Sequence, residues 1–245
     1  MQLLRPHLLS LQHPLLQPPF DLLLAQPISY IGTTTPAAIL ITASNVVLDL
    51  GGNSFVYAGS TSDLGAIRIS SSVRNVTIKN GDLVGWYGQS VFIDSGCSAI
   101  TLEDLNITGG KDHGIMVNGI SGTVCTGVTI KNCKISKMDG TQNANSYSAG
   151  IEVSYANNIL IQDSLIWQCS GSTAGFSAYG CMVATSTNVV LRNVQSGGHI
   201  GAQSYAFTST GSSVGVEFYN CEAIGCSGNA TSGVTATGFH FDSSN

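Results

Sequence analysis

Charged side chains are scarce in this sequence: Asp, Glu, Lys and Arg together make up 9% of its 245 residues, against roughly 25% in an ordinary soluble domain. The formal net charge is −5, and the few Lys and Arg residues form no basic cluster. Such a chain has little with which to neutralise phosphates, so we expect no nucleic-acid partner. Hydrophobic residues nevertheless reach 43%, which argues against intrinsic disorder and predicts a fold whose surface consists of neutral polar groups.

Long apolar runs and catalytic signature motifs are also missing. No apolar run approaches the roughly 18 residues of a membrane-spanning helix, so we expect no transmembrane span. The sequence contains no glycine-rich phosphate loop, no nucleophile elbow and no HExxH motif, and its cysteines lack zinc-ligand spacing. Asp139, Asp163 and Glu222 have the oxygen atoms that Ca²⁺ prefers, but no dense Asp-x-Asp cluster supports a calcium site. We therefore predict no cofactor, and Ca²⁺ stays open as an alternative that no motif supports.

Proline is missing after Pro36 and glycine is missing before Gly32, which sets residues 1–36 apart from the rest. Ten leucines lie within residues 1–25, interrupted by four prolines. Three interpretations of this irregular Pro/Leu-rich segment stay open. The first is a secretory signal peptide, although His13 and Pro14 would interrupt its apolar stretch. The second is a cap over one end of the fold, helical from residue 20 to 25. The third is an incorrect gene start.

The residues after Pro36 form a repeat, the first pattern to look for in a new sequence. One unit is a polar or small residue followed by three mostly β-branched ones, such as Asn-Val-Thr-Ile at 75–78. The last residue of each unit, its anchor, is at 48, 78, 102, 130, 161, 191 and 218. Such a repeat suits turn residues that adopt a left-handed conformation and hydrogen-bond along the stack. Two positions beyond the anchor, six of the seven units carry Asn or Asp: Asn80, Asp104, Asn132, Asp163, Asn193 and Asn220.

Two further short apolar units occur in each repeat. The second ends at 69, 93, 117, 153, 183, 207 and 241, and a third follows the first, as at 105–107, 134–135 and 165–166. Three short strands cannot enclose a core within one repeat, but stacked repeats can, because each strand pairs with its counterpart in the next coil. β-Branched residues and frequent glycines favour strands over helices. The sequence thus predicts an all-β protein, a right-handed parallel β-helix (a single-stranded solenoid) of about seven coils and roughly 34 Å, with an irregular N-terminal segment.

Two of these units carry a resemblance to a known family. The stretches Asn-Val-Thr-Ile-Lys-Asn-Gly at 75–81 and Gly-Val-Thr-Ile-Lys-Asn-Cys at 127–133, each followed by a strand of the second type, resemble the pectin-lyase-like right-handed β-helix superfamily. The resemblance covers about residues 37–245, which we take as one domain. The superfamily includes pectate lyases, galacturonases, uronan epimerases, phage tailspikes and adhesins. It therefore implies a polysaccharide or glycan partner and a location outside the cell or at its surface.

The strand at 239–241 opens a further coil just before Asn245. An unpaired coil end invites edge association. We therefore expect end-to-end association, or a natural protein that continues past this point as part of a larger chain.

In such a fold, binding residues belong to loops and to the outward positions of one sheet. The long loops between third and second strands lie at the same corner of successive coils, and aromatic residues gather near them. Sugar rings stack on aromatic faces, so this corner is the predicted glycan-binding surface. The alternative is that these side chains only pack the loops against the sheet. The predicted substrate-binding residues are Trp86, Tyr87, Tyr179, Tyr205 and His199, the last because Gly-Gly-His-Ile-Gly at 197–201 looks like the Gly-His-Gly of galacturonases.

Lys111, Asp112 and His113 form the densest polar cluster, directly before a strand of the second type. Hydrolysis of the galacturonase type needs further carboxylates, and the positions where that family carries its other catalytic residues hold Phe92 and Ala149 here. A hydrolase of that type is therefore not expected. Elimination or epimerisation at a uronate needs less, namely a group that neutralises the sugar carboxylate, a base and an acid.

These requirements define a candidate catalytic set for a polysaccharide lyase or uronan epimerase. The base would be the imidazole or the lysine amine, the acid one of two phenols, and Asp112 would orient the imidazole. The Asp-His pair is similar to the Asp-Pro-His-Asp motif of mannuronan epimerases, although the proline and the second aspartate are absent. The alternative is a solvated turn without a catalytic role. The candidate residues are Lys111, Asp112, His113, Tyr147, Tyr179 and Glu152.

Three classes of function therefore stay open: a glycan-binding module without turnover, a lyase or epimerase, and a structural segment of a larger fibre or surface protein. The seven cysteines are odd in number. Cys133 and Cys221 share one column of the repeat and Cys169 and Cys226 another, but in each pair the coils are too far apart for a disulfide. We expect the cysteines to stack as small apolar residues in the core.

Overall fold

The structure of the chain is a computed structural model that describes residues 2–4, 9–10, 20–31, 37–59, 65–140, 147–171, 176–228 and 235–242. In this part of the chain the regular secondary structure is β-strand, and no α-helix occurs. No helix long and apolar enough to cross a membrane is found among these residues. The predicted all-β class is confirmed.

The strands are numbered in chain order. Four lie in the Pro/Leu-rich segment: β1 Gln2–Leu4, β2 Leu9–Ser10, β3 Phe20–Leu23 and β4 Ile28–Tyr30. The others are β5 Ala37–Ile41, β6 Val46–Tyr57, β7 Gly65–Ile69, β8 Arg74–Val84, β9 Val91–Ile93, β10 Ser98–Thr108, β11 Ile115–Asn118, β12 Cys125–Lys131, β13 Lys134–Ser136, β14 Tyr147–Ser154, β15 Ala156–Gln162, β16 Leu165–Trp167, β17 Ser177–Ala184, β18 Thr187–Arg192, β19 Gln195–Gly197, β20 Ile200–Gly201, β21 Gln203–Thr210, β22 Val214–Tyr219, β23 Glu222–Ile224, β24 Ser227–Gly228 and β25 Thr235–Phe241.

The strands stack in parallel into a β-helix with three faces. The first sheet runs through β6, β8, β10, β12, β15, β18 and β22, and the second through β5, β7, β9, β11, β14, β17, β21 and β25. A third strip of β13, β16, β19 and β23 continues from the far end of β10. The predicted repeat is confirmed, because the seven anchors pair in order along the first sheet: Leu48, Ile78, Leu102, Ile130, Ile161, Leu191 and Phe218.

The register of the second sheet departs from the prediction at one strand. Phe207 was expected to align with Val183, but it aligns with Cys181, and Ser209 takes the expected place. A shift of two residues keeps every side chain on its own face of the sheet, since the side-chain period is two. Hydrophobic pattern alone therefore does not distinguish the two registers.

The predicted Asn/Asp column forms a ladder at the turn after the first sheet. All six of its members have positive φ, between 49° and 59°, the left-handed region that Asn and Asp tolerate best. The Asn193 side chain donates to Asp163 at 2.8 Å and accepts from Asn220 at 2.9 Å. In the first coil, where the pattern lacked a member, Asp49 accepts from Asn80 at 3.2 Å. The ladder fixes the corner between the first sheet and the third strip.

The interior is an apolar core of inward-facing side chains. Ile78 in the first sheet, Ile115 in the second and Ile135 in the third strip are fully buried, and their aligned neighbours continue as columns. All seven cysteines are free thiols, five of them buried and Cys221 and Cys226 half-buried. This agrees with the prediction that they fill the core without forming disulfides.

The second sheet approaches the third strip closely at one column of glycines. A Cβ on Gly114 would lie 2.5 Å from the Cγ2 atom of Ile135, and one on Gly150 would lie 2.2 Å from that of Ile166. Both distances are far below van der Waals contact, so only glycine fits there. The residue before Gly114, His113, is buried at the edge of the second sheet.

Part of the Pro/Leu-rich segment adds strands to the N-terminal end of the β-helix. β3 pairs with the first half of β6 and β4 with its second half, both in parallel. The expected helix over residues 20 to 25 is therefore wrong at Phe20–Leu23, which are extended. An edge strand has backbone hydrogen-bonding groups that a further strand can satisfy. Without β3 and β4, β6 would be such an edge strand. The boundary between residues 36 and 37 stays a prediction.

Candidate functional site

A column of side chains runs along the outward face of the second sheet. Alternate residues of a strand point to opposite faces, so Glu152, between the buried Ile151 and Val153, points outward. In register it lies between Met116 on β11 and Met182 on β17. The Glu152 side chain thus points away from the core, although neighbouring side chains bury it. The column continues through Arg68, Phe92, Thr208 and His240.

His113 lies between two carboxylates at this position. Its Nε2 atom is 2.7 Å from Oε2 of Glu152, and its Nδ1 atom makes a short contact with Oδ1 of Asp112. The exposed fractions of the side chains are 2% for His113, 12% for Asp112 and 5% for Glu152. The structure therefore brings three of the predicted catalytic residues into one buried cluster that spans two coils.

Neighbouring side chains complete the hydrogen bonding of both carboxylates. The Tyr147 hydroxyl donates to Oε2 of Glu152 at 3.0 Å, and the Ser154 hydroxyl donates to Oε1 at 2.8 Å. Nε2 of Gln89 donates to Oδ2 of Asp112 at 2.5 Å. Buried charge is tolerated when it is paired and hydrogen-bonded in this way. Two residues outside the predicted set, Gln89 and Ser154, thus complete the hydrogen bonding of the cluster.

Sequence reasoning missed Gln89 and Ser154. The signal was present in the repeat: Gln89 stands two residues before β9, as His113 stands two residues before β11, and those strands pair in register. Ser154 is two residues after Glu152 and so points to the same face. Counting outward positions across coils would have found both residues.

Electrostatics set the protonation states in this cluster. Burial by itself would lower the pKa of His113, but its hydrogen bonds to Asp112 and Glu152 and the charges of these carboxylates outweigh burial and raise its pKa to about 9. Burial would raise the pKa of Glu152, yet the hydrogen bond and charge of His113 hold it below its usual value. Burial and the charge of Glu152 raise the pKa of Tyr147 well above its usual value. At neutral pH the imidazole is therefore charged, Glu152 is ionised and the phenol is neutral.

These protonation states bear on the predicted proton transfers. An imidazolium whose two nitrogens both donate to carboxylates has no lone pair with which to accept a proton. As arranged, His113 therefore does not fit the role of the base. Tyr147 keeps its proton and fits the role of a donor.

Lys111 lies apart from the cluster. Its Nζ atom is 3.3 Å from Oδ2 of Asp139, and its backbone N–H donates to the carbonyl oxygen of Trp86 at 2.8 Å. Its side chain is 36% exposed. The structure thus does not bring the amine together with His113 and Glu152.

A row of rings runs along the rod next to the cluster. The ring centroids of neighbours are 5.0 Å apart for His113 and Tyr147, 5.6 Å for Tyr147 and Tyr179, and 5.5 Å for Tyr179 and Tyr205. His240 follows Tyr205 at 4.7 Å. Tyr179 and Tyr205 face each other at an interplanar angle of 15°. Tyr179 is half-buried, whereas Tyr205 is buried with 6% of its surface exposed.

Two of the predicted glycan-binding aromatics are packing residues. Trp86 is fully buried, its Nε1 atom donates to the carbonyl oxygen of Phe55 at 3.1 Å, and its ring lies 5.4 Å from that of Tyr57. This position contradicts a stacking role for Trp86, because no sugar can reach its face. Tyr87 is half-buried, with its ring edge-on to Tyr57 at 5.7 Å.

His199 also lies inside the β-helix. It is fully buried, its Nδ1 atom accepts from the backbone N–H of Cys169 at 3.1 Å, and its Nε2 atom is 2.9 Å from the hydroxyl of Ser196. Burial lowers its pKa to about 4, so the ring is neutral. Its place in the core contradicts the predicted contact with a substrate. A glycine-flanked histidine in a loop does not reveal from sequence which way its ring turns.

No group of three or more His, Cys, Asp or Glu side chains within the described ranges is arranged to hold a metal ion. The three carboxylates that resembled calcium ligands each have a protein partner: Asp139 pairs with Lys111, Asp163 accepts from Asn193, and Glu222 accepts from Gln195. The loop residues 141–146, 172–175 and 229–234, part of the predicted corner, lie outside the described residues.

The chain belongs to the family described as the right-handed β-helix region, whose model matches residues 65–245. The fold of the chain is similar to that of the enzymatically active domain of tailspike protein 2 from bacteriophage CBA120, with 17% identity and a TM-score of 0.56 over 91% of this chain and 38% of that one. Full-length tailspike protein 2 of an Escherichia coli O157:H7 bacteriophage gives 15%, 0.54, 91% and 34%. The chain thus spans little more than a third of the length of these tailspikes. No curated protein matches it significantly.

Proposed function

We propose that this chain binds a glycan along the outward face of its second sheet, and that it does so outside the cell or at its surface. The observation that carries the proposal is the row of Tyr147, Tyr179 and Tyr205, whose rings follow one another along the rod at 5.5–5.6 Å beside the buried His113 cluster. A polymer that lies along the rod meets a similar contact on each coil, because the coils repeat.

The chemistry of the row suits sugars through its hydroxyl groups. Burial raises the pKa of Tyr179 and of Tyr205, so both phenols stay protonated. A neutral phenol both donates and accepts hydrogen bonds, as sugar hydroxyls do. Tyrosine also combines an apolar body with a polar tip, which favours partly wet recognition surfaces.

Binding without turnover is the version that the cluster supports best. His113 is charged and enclosed, and both oxygens of Glu152 accept hydrogen bonds from protein groups. In this arrangement the cluster holds Tyr147 in place at the end of the row. A rigid, fully hydrogen-bonded support of this kind is what orients a binding residue.

A polysaccharide lyase or uronan epimerase is the second candidate. It is favoured by the contact between Tyr147 and Glu152, in which the phenol O–H lies 3.0 Å from a carboxylate oxygen. The protonated phenol would be the acid that serves the departing oxygen. The base would have to come from a residue other than His113, because that imidazole already carries its proton.

Binding to a panel of neutral and acidic oligosaccharides, measured by isothermal titration calorimetry, tests the first candidate. We expect Tyr179→Ala to weaken binding about tenfold. Tyr219→Ala is the matched control, since this tyrosine is 49% exposed on the first sheet. If the wild-type protein binds no oligosaccharide of the panel, the glycan-binding proposal is rejected and a structural segment of a larger fibre or surface protein remains.

A lyase assay on polygalacturonate, alginate and hyaluronan tests the second candidate through the ultraviolet absorbance of the unsaturated product. Activity that is lost in Tyr147→Phe and kept in Tyr219→Phe would favour the enzyme. A flat trace on every polymer removes the lyase, and proton exchange at C5 of the uronate then tests the epimerase separately.

A further inference from the structure

A groove lies on the outward face of the third strip, on a different set of strands from the row of tyrosines. Its volume is about 600 Å³, and its walls come from β10, β13, β16, β19 and β23 and the turns that follow β13 and β16. Grooves of this size are suited to small ligands or to segments of a polymer. None of the residues that we assigned to a glycan site lines it.

Trp167 provides the largest surface in this groove. On one side it lies against glycine backbone: a Cβ on Gly197 would be 2.9 Å from its Cζ3 atom, and a Cβ on Gly198 would be 3.3 Å from its Nε1 atom. These atoms belong to the six-membered and the five-membered ring, so the indole packs against the backbone of both glycines.

The other side of the indole faces small residues. In register along the strip, Trp167 is preceded by Ser136 on β13 and by Thr108 on β10. Both are half-buried residues that line the groove. Because coils are about 4.8 Å apart, two successive coils with small side chains leave an open trough beside the second indole face.

The groove also contains both lysines that have no carboxylate partner among the described residues. The chain has five lysines, and three of them pair with a carboxylate: Lys79, Lys111 and Lys131. Within the described ranges Lys134 and Lys137 have no such partner, and both are exposed and line this groove. They flank Ser136, with one on either side of the trough. No carboxylate belongs to the described lining of the groove.

Lys137 and Gln168 hold their side chains there against a conformational cost. Both have positive φ, 57° and 56°, at the turn that follows the third-strip strand. Backbone hydrogen bonds align this position from coil to coil, and the other members are all glycines: Gly85, Gly109, Gly198 and Gly225. A residue with a Cβ is disfavoured in this conformation, and such outliers cluster at functional sites. From Gly85 to Gly225, two long polar side chains thus replace glycine only on the coil of Trp167 and on the coil before it.

We infer that this groove is a second glycan site, which binds a carboxylate-bearing sugar. The sugar ring packs on the free face of Trp167, Lys134 and Lys137 pair with its carboxylate, and the Gln168 amide hydrogen-bonds its hydroxyls. The site goes beyond the proposed function, because it lies on another face and takes an acidic ligand rather than one bound by the row of tyrosines.

The experiment measures binding of oligogalacturonate, oligoalginate and oligosialate to the full chain by calorimetry at physiological salt. The matched probe is methyl-esterified oligogalacturonate, which has the same sugar rings without the charge. We expect Lys134→Gln, Lys137→Gly and Trp167→Ala each to weaken binding of the acidic oligomer about tenfold. Lys79→Gln, which makes the same change of net charge on another face, should leave the affinity unchanged.

Thermal unfolding separates a binding role from a structural one. Lys137→Gly should leave the midpoint unchanged or raise it, since glycine is relaxed at positive φ. The inference is overturned if none of the three acidic oligomers binds, or if the methyl ester binds equally well. It is also overturned if all three groove variants bind as the wild type does. A purely electrostatic contact, which would overturn it too, would appear as dextran sulfate binding that depends on the lysines while Trp167→Ala has no effect on any oligomer. Loss of neutral-glycan binding in Tyr179→Ala alone would concern the proposed function and not this groove.

Discussion

Among single side chains, His113 has the largest part in holding the candidate site together. It is the one cation between Asp112 and Glu152, whose side chains are nearly buried. Removing one partner of a buried charge cluster leaves an uncompensated charge, which typically costs about 3–5 kcal/mol. The same interactions make the stability of the fold depend on pH.

We expect the free energy of unfolding to fall as pH rises from about 7 to 10. The pKa of His113 is raised from 6.5 to about 9 in the folded chain. Its contribution is therefore complete below pH 6.5 and is lost as pH rises through 9. That contribution is on the order of 3 kcal/mol. Urea unfolding at several pH values measures it.

The control for this prediction is His113→Gln, which is uncharged at every pH. Burial also raises the pKa of Cys97 and of other core thiols, so wild type and variant both lose stability at high pH. Only the difference between them reports the histidine. If that difference stays constant from pH 6 to 10, His113 is neutral in the folded protein.

Sequence reasoning identified the charged members of this cluster, but it missed Gln89 and Ser154 and did not predict which side chains outside the cluster are buried. The positions of Asp112, His113 and Glu152 could be predicted from the sequence, because their distances from the repeat anchors place them on adjacent coils at the outward face. The positions of Trp86 and His199 could not be predicted, because both residues occupy turns, where strand alternation does not determine the direction of a side chain. The rings of both are buried.

At the scale of structural elements, the Asn ladder and the glycine column fix the corners of each coil. Asn193 illustrates the ladder, since it combines a positive φ of 53° with two side-chain hydrogen bonds along the stack. Both features were predicted from the repeat. Substitutions of Asn193 can separate the contribution of its hydrogen bonds to stability from that of its backbone conformation.

We expect Asn193→Ala to lower the free energy of unfolding by about 2–4 kcal/mol, because it loses two hydrogen bonds and places a Cβ in the left-handed region. Asn193→Gly should lower it by less, since glycine tolerates that conformation. Urea denaturation of both variants checks the order. Equal losses would mean that the backbone conformation contributes nothing here.

The glycine column could not be read from the repeat alone, because it depends on how closely two faces approach. We expect Gly150→Ala to cost about 1–3 kcal/mol by overpacking, since its Cβ would lie 2.2 Å from Ile166. Ile166→Ala removes the colliding methyl group. The double variant should therefore lose less free energy of unfolding than the sum of the losses in the two single variants. Strictly additive effects of the two changes would contradict a direct clash.

The whole molecule is stabilised by stacked apolar columns and not by covalent bridges. All seven cysteines are free, and five are buried. We therefore expect the thermal midpoint to be the same with and without a reductant. A thiol reagent should modify the five buried cysteines only after unfolding, when all seven react. A midpoint that drops on reduction would reveal a disulfide.

The sequence by itself determined the architecture, because a β-helix repeats one short pattern and every coil reports the same alternation of inward and outward residues. It also determined the Asn ladder and the absence of disulfides. Only the tertiary structure decided which aromatic rings are exposed, that His113 is charged between two carboxylates, and that Trp167 and two lysines share a groove. These properties arise where turns and neighbouring coils meet, and contacts between distant residues set burial and charge there.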